Sequence, residues 1–219
     1  MKMHVVKPLI VLLVALAAPV MAVSFQQLGW PDLVKEVTFE DPFEALTQEQ
    51  LYNLGMVARV QGLQKQGSEV SAGMLEEARE ADHTLQSQGV DIDELLARRV
   101  EIRELRRQRA HAVVSELNGQ QVRMPGYALP LEFSGTRITE FLLVPWVGAC
   151  IHTPPPPPNQ IVYVKLDKGI ENAGRFTPVW VTGEMAVRAA TKNLYLVDGA
   201  SGIDVGYTLE ASKVEPYKK

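Results

Sequence analysis

The sequence predicts an α+β fold: a small antiparallel β-barrel of the OB type at the C-terminal end, preceded by a helical hairpin. A β-sandwich is the alternative for the C-terminal part. Three observations lead there. Near Gly119 the chain changes character, from charge-dense and glycine-poor to β-branched and aromatic residues between Gly and Pro punctuation. Before that point, helix-start signals precede periodic apolar segments. After it, five or six short strand patterns follow one another, a spacing that suits a barrel pairing most of its own edges.

Residues 1–22 read as an export segment. Lys2 and Lys7 give a basic start, Leu9 to Val20 is an uncharged apolar run, and Val20 and Ala22 suit signal-peptidase cleavage after Ala22. The run is about a dozen residues, against roughly 20 for a helix that spans a bilayer. No later segment is apolar enough to span, so the mature chain is expected in the periplasm, without a transmembrane helix. The export segment holds two of the 22 basic residues and none of the 26 acidic ones, leaving a formal charge of −6 on the rest. A mildly acidic domain has no general attraction for phosphate backbones, which argues against nucleic acid as a partner.

Residues 23–46 are an irregular lead-in. Phe25, Leu28, Trp30, Leu33 and Phe39 are too apolar for a free tail and are expected to dock on the barrel. Residues 47–118 form the helical arm. Thr47 and Gln50 have capping-box spacing, in which hydroxyl and amide satisfy each other's backbone donors, and open a helix running towards Gln64. A second helix is expected from Val70 to Gln86, with Val70, Met74, Ala78, Ala81 and Leu85 on one stripe and Gly89 as its stop. A third opens at Asp91-x-x-Glu94 and runs to Leu117, with Asn118-Gly119 behind it. Its middle puts Arg99, Arg103 and Arg106 in line with its apolar stripe, so it is expected to project into solvent with Glu and Arg paired along its surface. The bland account of this basic run is a solvated face. The functional one is a docking arm for an acidic or membrane-bound partner.

Residues 119–219 carry the strands: Gln121 to Glu132, Arg137 to Val144, Asn159 to Leu166, Thr177 to Val187 and Ile203 to Val214, with Asn193 to Val197 as a short extra one. Val122 with Met124, Val162 with Val164, and Val179 with Val181 alternate as half-buried strands do.

The least generic stretch is the loop from Val144 to Gln160, in which Pro154 to Pro158 form a stiff polyproline strap. Cys150, the only cysteine, stands two residues before His152. On an extended backbone the two side chains point the same way. Thiolate and imidazole are good ligands for zinc or copper; they also make a thiol–base pair; and a lone cysteine also packs as a small hydrophobe. Glu132 and Glu140 are the nearest additional ligands. There is no Gly-rich phosphate loop, no paired-histidine zinc-protease helix and no Gly-x-Ser-x-Gly elbow. The chain is therefore not expected to be an enzyme, with a thiol-dependent enzyme as the alternative.

Several blocks together resemble a known family: Gly126 to Glu132, Glu140 to Pro145, the Cys150-Ile151-His152-Thr153 run into the five prolines and Asn159-Gln160, and Val179 to Gly183. They resemble the domain of unknown function 3299 family of uncharacterised bacterial envelope proteins. The resemblance covers about Gln120 to Glu215, with Trp30 to Leu33 near the mature start, and is silent on the helices. It implies an accessory role beside envelope membrane-transporter components, tied to divalent-metal homeostasis and zinc in particular. On that basis Cys150 and His152 are the candidate metal ligands, with Glu132 a weaker third. The alternative is a structural scaffold with a buried cysteine and a partner-docking helical arm.

Overall fold

The computed structural model describes residues 24–151, 153–172, 174–196 and 199–217. Residues 1–22, read above as an export segment, and His152 lie outside the described residues. The fold is mixed α+β, with three α-helices and a six-stranded sheet.

β1 (Gln26–Gln27) pairs in parallel with the start of β2 (Gln121–Ser134). β2 pairs antiparallel with β3 (Arg137–Val144), and β3 antiparallel with β4 (Val162–Glu171). β4 runs parallel to β6 (Gly199–Pro216), and β6 antiparallel to β5 (Thr177–Leu196). β5 then pairs antiparallel with β2, from Gln121 opposite Glu184 to Ala128 opposite Thr177, so the pairings return to the strand where they began.

Both faces of the middle strands are buried. Phe141 and Leu143 of β3, Val162 and Val164 of β4, and Tyr207 and Leu209 of β6 fill one apolar cluster with Val122, Met124 and Val181. Leu142, Val144, Ile161 and Tyr163 point the other way, into a second cluster with Leu194, Ile203 and Val205. Burial on two faces explains why Leu142 to Val144 and Ile161 to Val164 are unbroken apolar runs, where one-sided strands alternate. The second cluster is covered by the far half of the β5–β6 hairpin. The sequence suggested two strands where β5 is one, because Arg188 to Lys192 carries little strand propensity; a register shift between Val187 and Ala190 marks the weak point.

The first and third helices of the arm start where their caps predict, and the second starts two residues after the expected Val70. Thr47 accepts from the Gln50 amide and Gln50 Oε1 accepts from the Thr47 amide at the head of α1 (Gln48–Lys65). Ser71 caps α2 (Ala72–Ser87), which closes with Gly89 in the left-handed region at φ 74°. Asp91 caps α3 (Ile92–His111). α3 stops at His111, six residues before the Leu117 expected from its pattern. Val113 is drawn into a bridge with Val34 of the lead-in, and Ser115–Leu117 form a separate 3-10 turn. Tertiary pairing here overrides the helical pattern. Among the described residues no helix is long and apolar enough to cross a membrane.

The lead-in divides between both halves. Leu28 and Leu33 join the first sheet cluster. Phe39, expected on the barrel, lies instead beneath the Arg109 guanidinium of α3, 4.9 Å from its ring centroid. Asp41 accepts two hydrogen bonds from Arg106 of α3, at 2.6 and 2.9 Å.

Candidate functional site: the proline strap and the helical arm

The strap begins in a tight turn. The Ile151 and Thr153 amides both donate to the Gly148 carbonyl at 3.2 Å. Cys150, between them, has a left-handed backbone at φ 67°. The extended backbone that would aim Cys150 and His152 to one side is thus absent at Cys150. Its side chain enters the second apolar cluster, with 8 % of the residue exposed. Burial pushes the thiol up to about 11, which disfavours the thiolate that metal binding and nucleophilic attack both need.

Glu132 is exposed on β2, opposite Glu140 of β3. The Tyr163 hydroxyl is pushed up by burial first and by Glu140 next, with Glu132 the smallest influence. Among the described residues no three His, Cys, Asp or Glu side chains come together as a metal cage. The described surroundings of Cys150 do not fit a metal ion: its neighbours are hydrocarbon, and they favour the protonated thiol.

The strap's far end has a clear structural task. Pro154, Pro155 and Pro157 are exposed and Pro156 is buried. Pro157 holds polyproline geometry (φ −54°, ψ 145°) and delivers Asn159 to the end of α3. Buried Asn159 donates through Nδ2 to the carbonyl oxygens of Arg109 and Ala112, both at 2.9 Å. The Arg109 carbonyl otherwise accepts only a long bond from the Ala112 amide, at 3.4 Å, so a strap side chain caps the end of the arm. Gly206 of β6 lets the strap approach: a Cβ there would lie 3.0 Å from the Pro158 carbonyl oxygen. One residue further along β6, the Val114 amide donates to the Tyr207 hydroxyl at 2.7 Å, and that hydroxyl donates to the Leu33 carbonyl at 2.6 Å. With the Arg106–Asp41 pair, these bonds tie sheet, lead-in and arm together.

What the tied arm leaves open is a groove between α1 and α3. Its floor is Leu51, Leu54, Gly55, Ala58 and Leu96, its rim Arg59 and Arg99, and its volume about 300 Å³. It runs on past Gly62 to Lys65. A second cavity, of about 340 Å³, lies over the second sheet cluster, with Phe133, Ile151, Arg175 and Tyr195 in its wall. Sequence reasoning did not single out the groove. The available signal was Gly55 and Gly62, seven residues apart inside a helical pattern; each is expected to cost about 0.5–1 kcal/mol against alanine.

Fold and site together define a sheet whose strand pairings close on themselves, bearing a firmly tied helical arm with an open groove. The chain belongs to the family described as Protein of unknown function (DUF3299), whose model matches residues 30–216. It is also similar to a DUF3299 family protein of known crystal structure, PA4066 from Pseudomonas aeruginosa PAO1. That protein is 28 % identical, the match covers 90 % of this chain and 98 % of the other, and the TM-score is 0.49. No curated protein matches the chain.

Proposed function

We propose that the chain is an exported, non-catalytic interaction module of the periplasm. Its closed circuit of β2, β3, β4, β6 and β5, with the single parallel pair β4–β6, is an OB-type barrel that serves as the base. The helical arm is the part that engages a partner, and an envelope transporter component is the class of partner proposed. One observation carries this reading: an apolar groove with a cationic rim is left uncovered on an arm held in place by a buried joint. Proteins bury contiguous apolar surface unless something else covers it.

The test is site-specific photo-crosslinking in intact cells. A photoreactive side chain at Ala58, in the groove, should give one discrete protein adduct, and the same group at Glu77, on the outer side of α2, should not. Leu96→Glu, which puts a charge on the groove floor, should abolish the adduct while leaving the circular dichroism of the purified protein unchanged. Equal adducts from both positions, or none from Ala58, would contradict the proposal.

A further inference from the structure

We infer that the α1–α3 groove receives one amphipathic helix of a partner protein, apolar along its contact stripe and acidic on both flanks. The inference rests on the interaction-module reading and names its occupant.

Charge selects the sign. The groove's charged rim is Arg59, Arg99 and Lys65, and no acidic side chain lines it. Elsewhere on α3 four arginines are matched and Arg103 is not: Arg98 pairs with Glu94, Arg106 with Asp41, Arg107 with Glu104 and Arg109 with Glu44. Among the described residues the three rim cations make no ion pair. A cationic rim free of acidic side chains attracts an acidic partner.

Shape selects a helix. The groove from Leu51 to Lys65 is roughly 21 Å long, the length of about four helical turns. Tyr52 and Val100, next to it on α1 and α3, are 69 % and 66 % exposed, so apolar contact is available on both banks. Glycine is unfavourable inside a helix, yet neither Gly55 nor Gly62 has a positive φ, and a Cβ at either would meet nothing within 4 Å. Nothing inside the chain therefore requires glycine at these positions. Seven residues apart, they fall on one face with Ala58 between them, and together they give a flat strip on which a second helix can lie close. Apolar anchors entering a groove at helical spacing are a general mode of helix recognition. The chain's own acidic helix, α2, is not the occupant, since Ala81 and Leu85 of its apolar stripe are buried in the arm core.

The experiment uses the chain from Val23 to Lys219 and a fluorescent helical peptide of about four turns, with leucine and alanine on one stripe and glutamate on both flanks. A control peptide carries lysine for every glutamate. Fluorescence anisotropy should show saturable binding of the glutamate peptide and at least about tenfold weaker binding of the lysine peptide. Arg59→Glu with Arg99→Glu should reverse that preference. Gly55→Ala with Gly62→Ala should raise the melting temperature by about 3–6 °C, because no chain atom is displaced, while weakening the glutamate peptide by about tenfold or more. No binding at about 100 µM, equal binding of both peptides, or unchanged affinity in the double glycine variant overturns the inference. So does binding to phosphatidylglycerol vesicles that depends on the same residues. If the peptide fails while the Ala58 adduct persists in cells, the occupant is wrong and the interaction reading stands; if both fail, both fall.

Discussion

Deleting either partner of the Arg106–Asp41 pair removes the same two hydrogen bonds, yet the two deletions should differ in cost. The Asp41 side chain is 1 % exposed and that of Arg106 is 47 % exposed. Arg106→Ala strands a buried carboxylate, which keeps only the Phe43 amide at 3.1 Å as a donor; the expected loss is about 3 kcal/mol, at the low end for an orphaned buried charge. Asp41→Ala leaves a guanidinium that is already half in water; its loss, discounted for that exposure, is about 1–2 kcal/mol. Urea unfolding followed by circular dichroism should therefore place Arg106→Ala below Asp41→Ala by about 1–2 kcal/mol. The pH dependence carries a second sign. The Arg106 guanidinium holds the Asp41 carboxyl below its ordinary value, so its stabilisation is fully present above the usual carboxylate range and is lost as pH falls through the folded value. In Arg106→Ala the buried carboxyl keeps only the weaker pull of Arg109 and loses less on protonation, so the gap between parent and variant should narrow as pH falls from 7 towards 3. Asp41→Ala costing as much as Arg106→Ala, or a gap that widens in acid, would refute the reasoning.

Three further outcomes follow from the joint and the strap. Asn159→Leu removes two donors from the end of α3 and should cost about 1–3 kcal/mol, with amide exchange accelerating in the last turn of α3 before it does in the sheet. Tyr207→Phe leaves the Val114 amide and the Leu33 carbonyl without their shared hydroxyl and should cost about 1–3 kcal/mol by denaturant unfolding. The Cys150 thiol, held up to about 11 by burial, should react with a disulfide reagent at pH 7.5 at least about a hundredfold more slowly in the native chain than in the unfolded one. Added zinc should leave that rate unchanged; fast native labelling that zinc blocks would restore the metal-ligand proposal for Cys150, His152 and Glu132.

Much of the fold was legible because local chemistry decides it. Thr47 and Asp91 cap helices whose starts nothing distant overrides. Arg137 and Val144 bound a strand between a glycine turn and a proline, and the structure keeps both limits. The misses are tertiary. α3 loses its last six expected residues to the Val34–Val113 bridge and the Asn159 cap, neither of which is visible along a single segment. The second apolar cluster was hidden because a run such as Leu142 to Val144 reads the same whether one face or two are covered. The sequence marked the loop from Val144 to Gln160 as unusual and put its weight on Cys150, whereas the side-chain hydrogen bonds from that loop to the arm belong to Asn159. Gly55 and Gly62 stayed unremarked because a helix tolerates single glycines, and only coordinates reveal empty space above both.

The central claim is that the α1–α3 groove is covered where the protein works, and the accessibility of one side chain tests it. Gln61→Cys places a thiol at the groove's tail and Glu77→Cys places one on the outer side of α2, with buried Cys150 as a slow background. Maleimide labelling should be fast at both positions in the purified protein. In intact cells it should stay fast at Glu77→Cys and fall at least about tenfold at Gln61→Cys. Equal labelling of Gln61→Cys in cells and in purified protein would contradict the account.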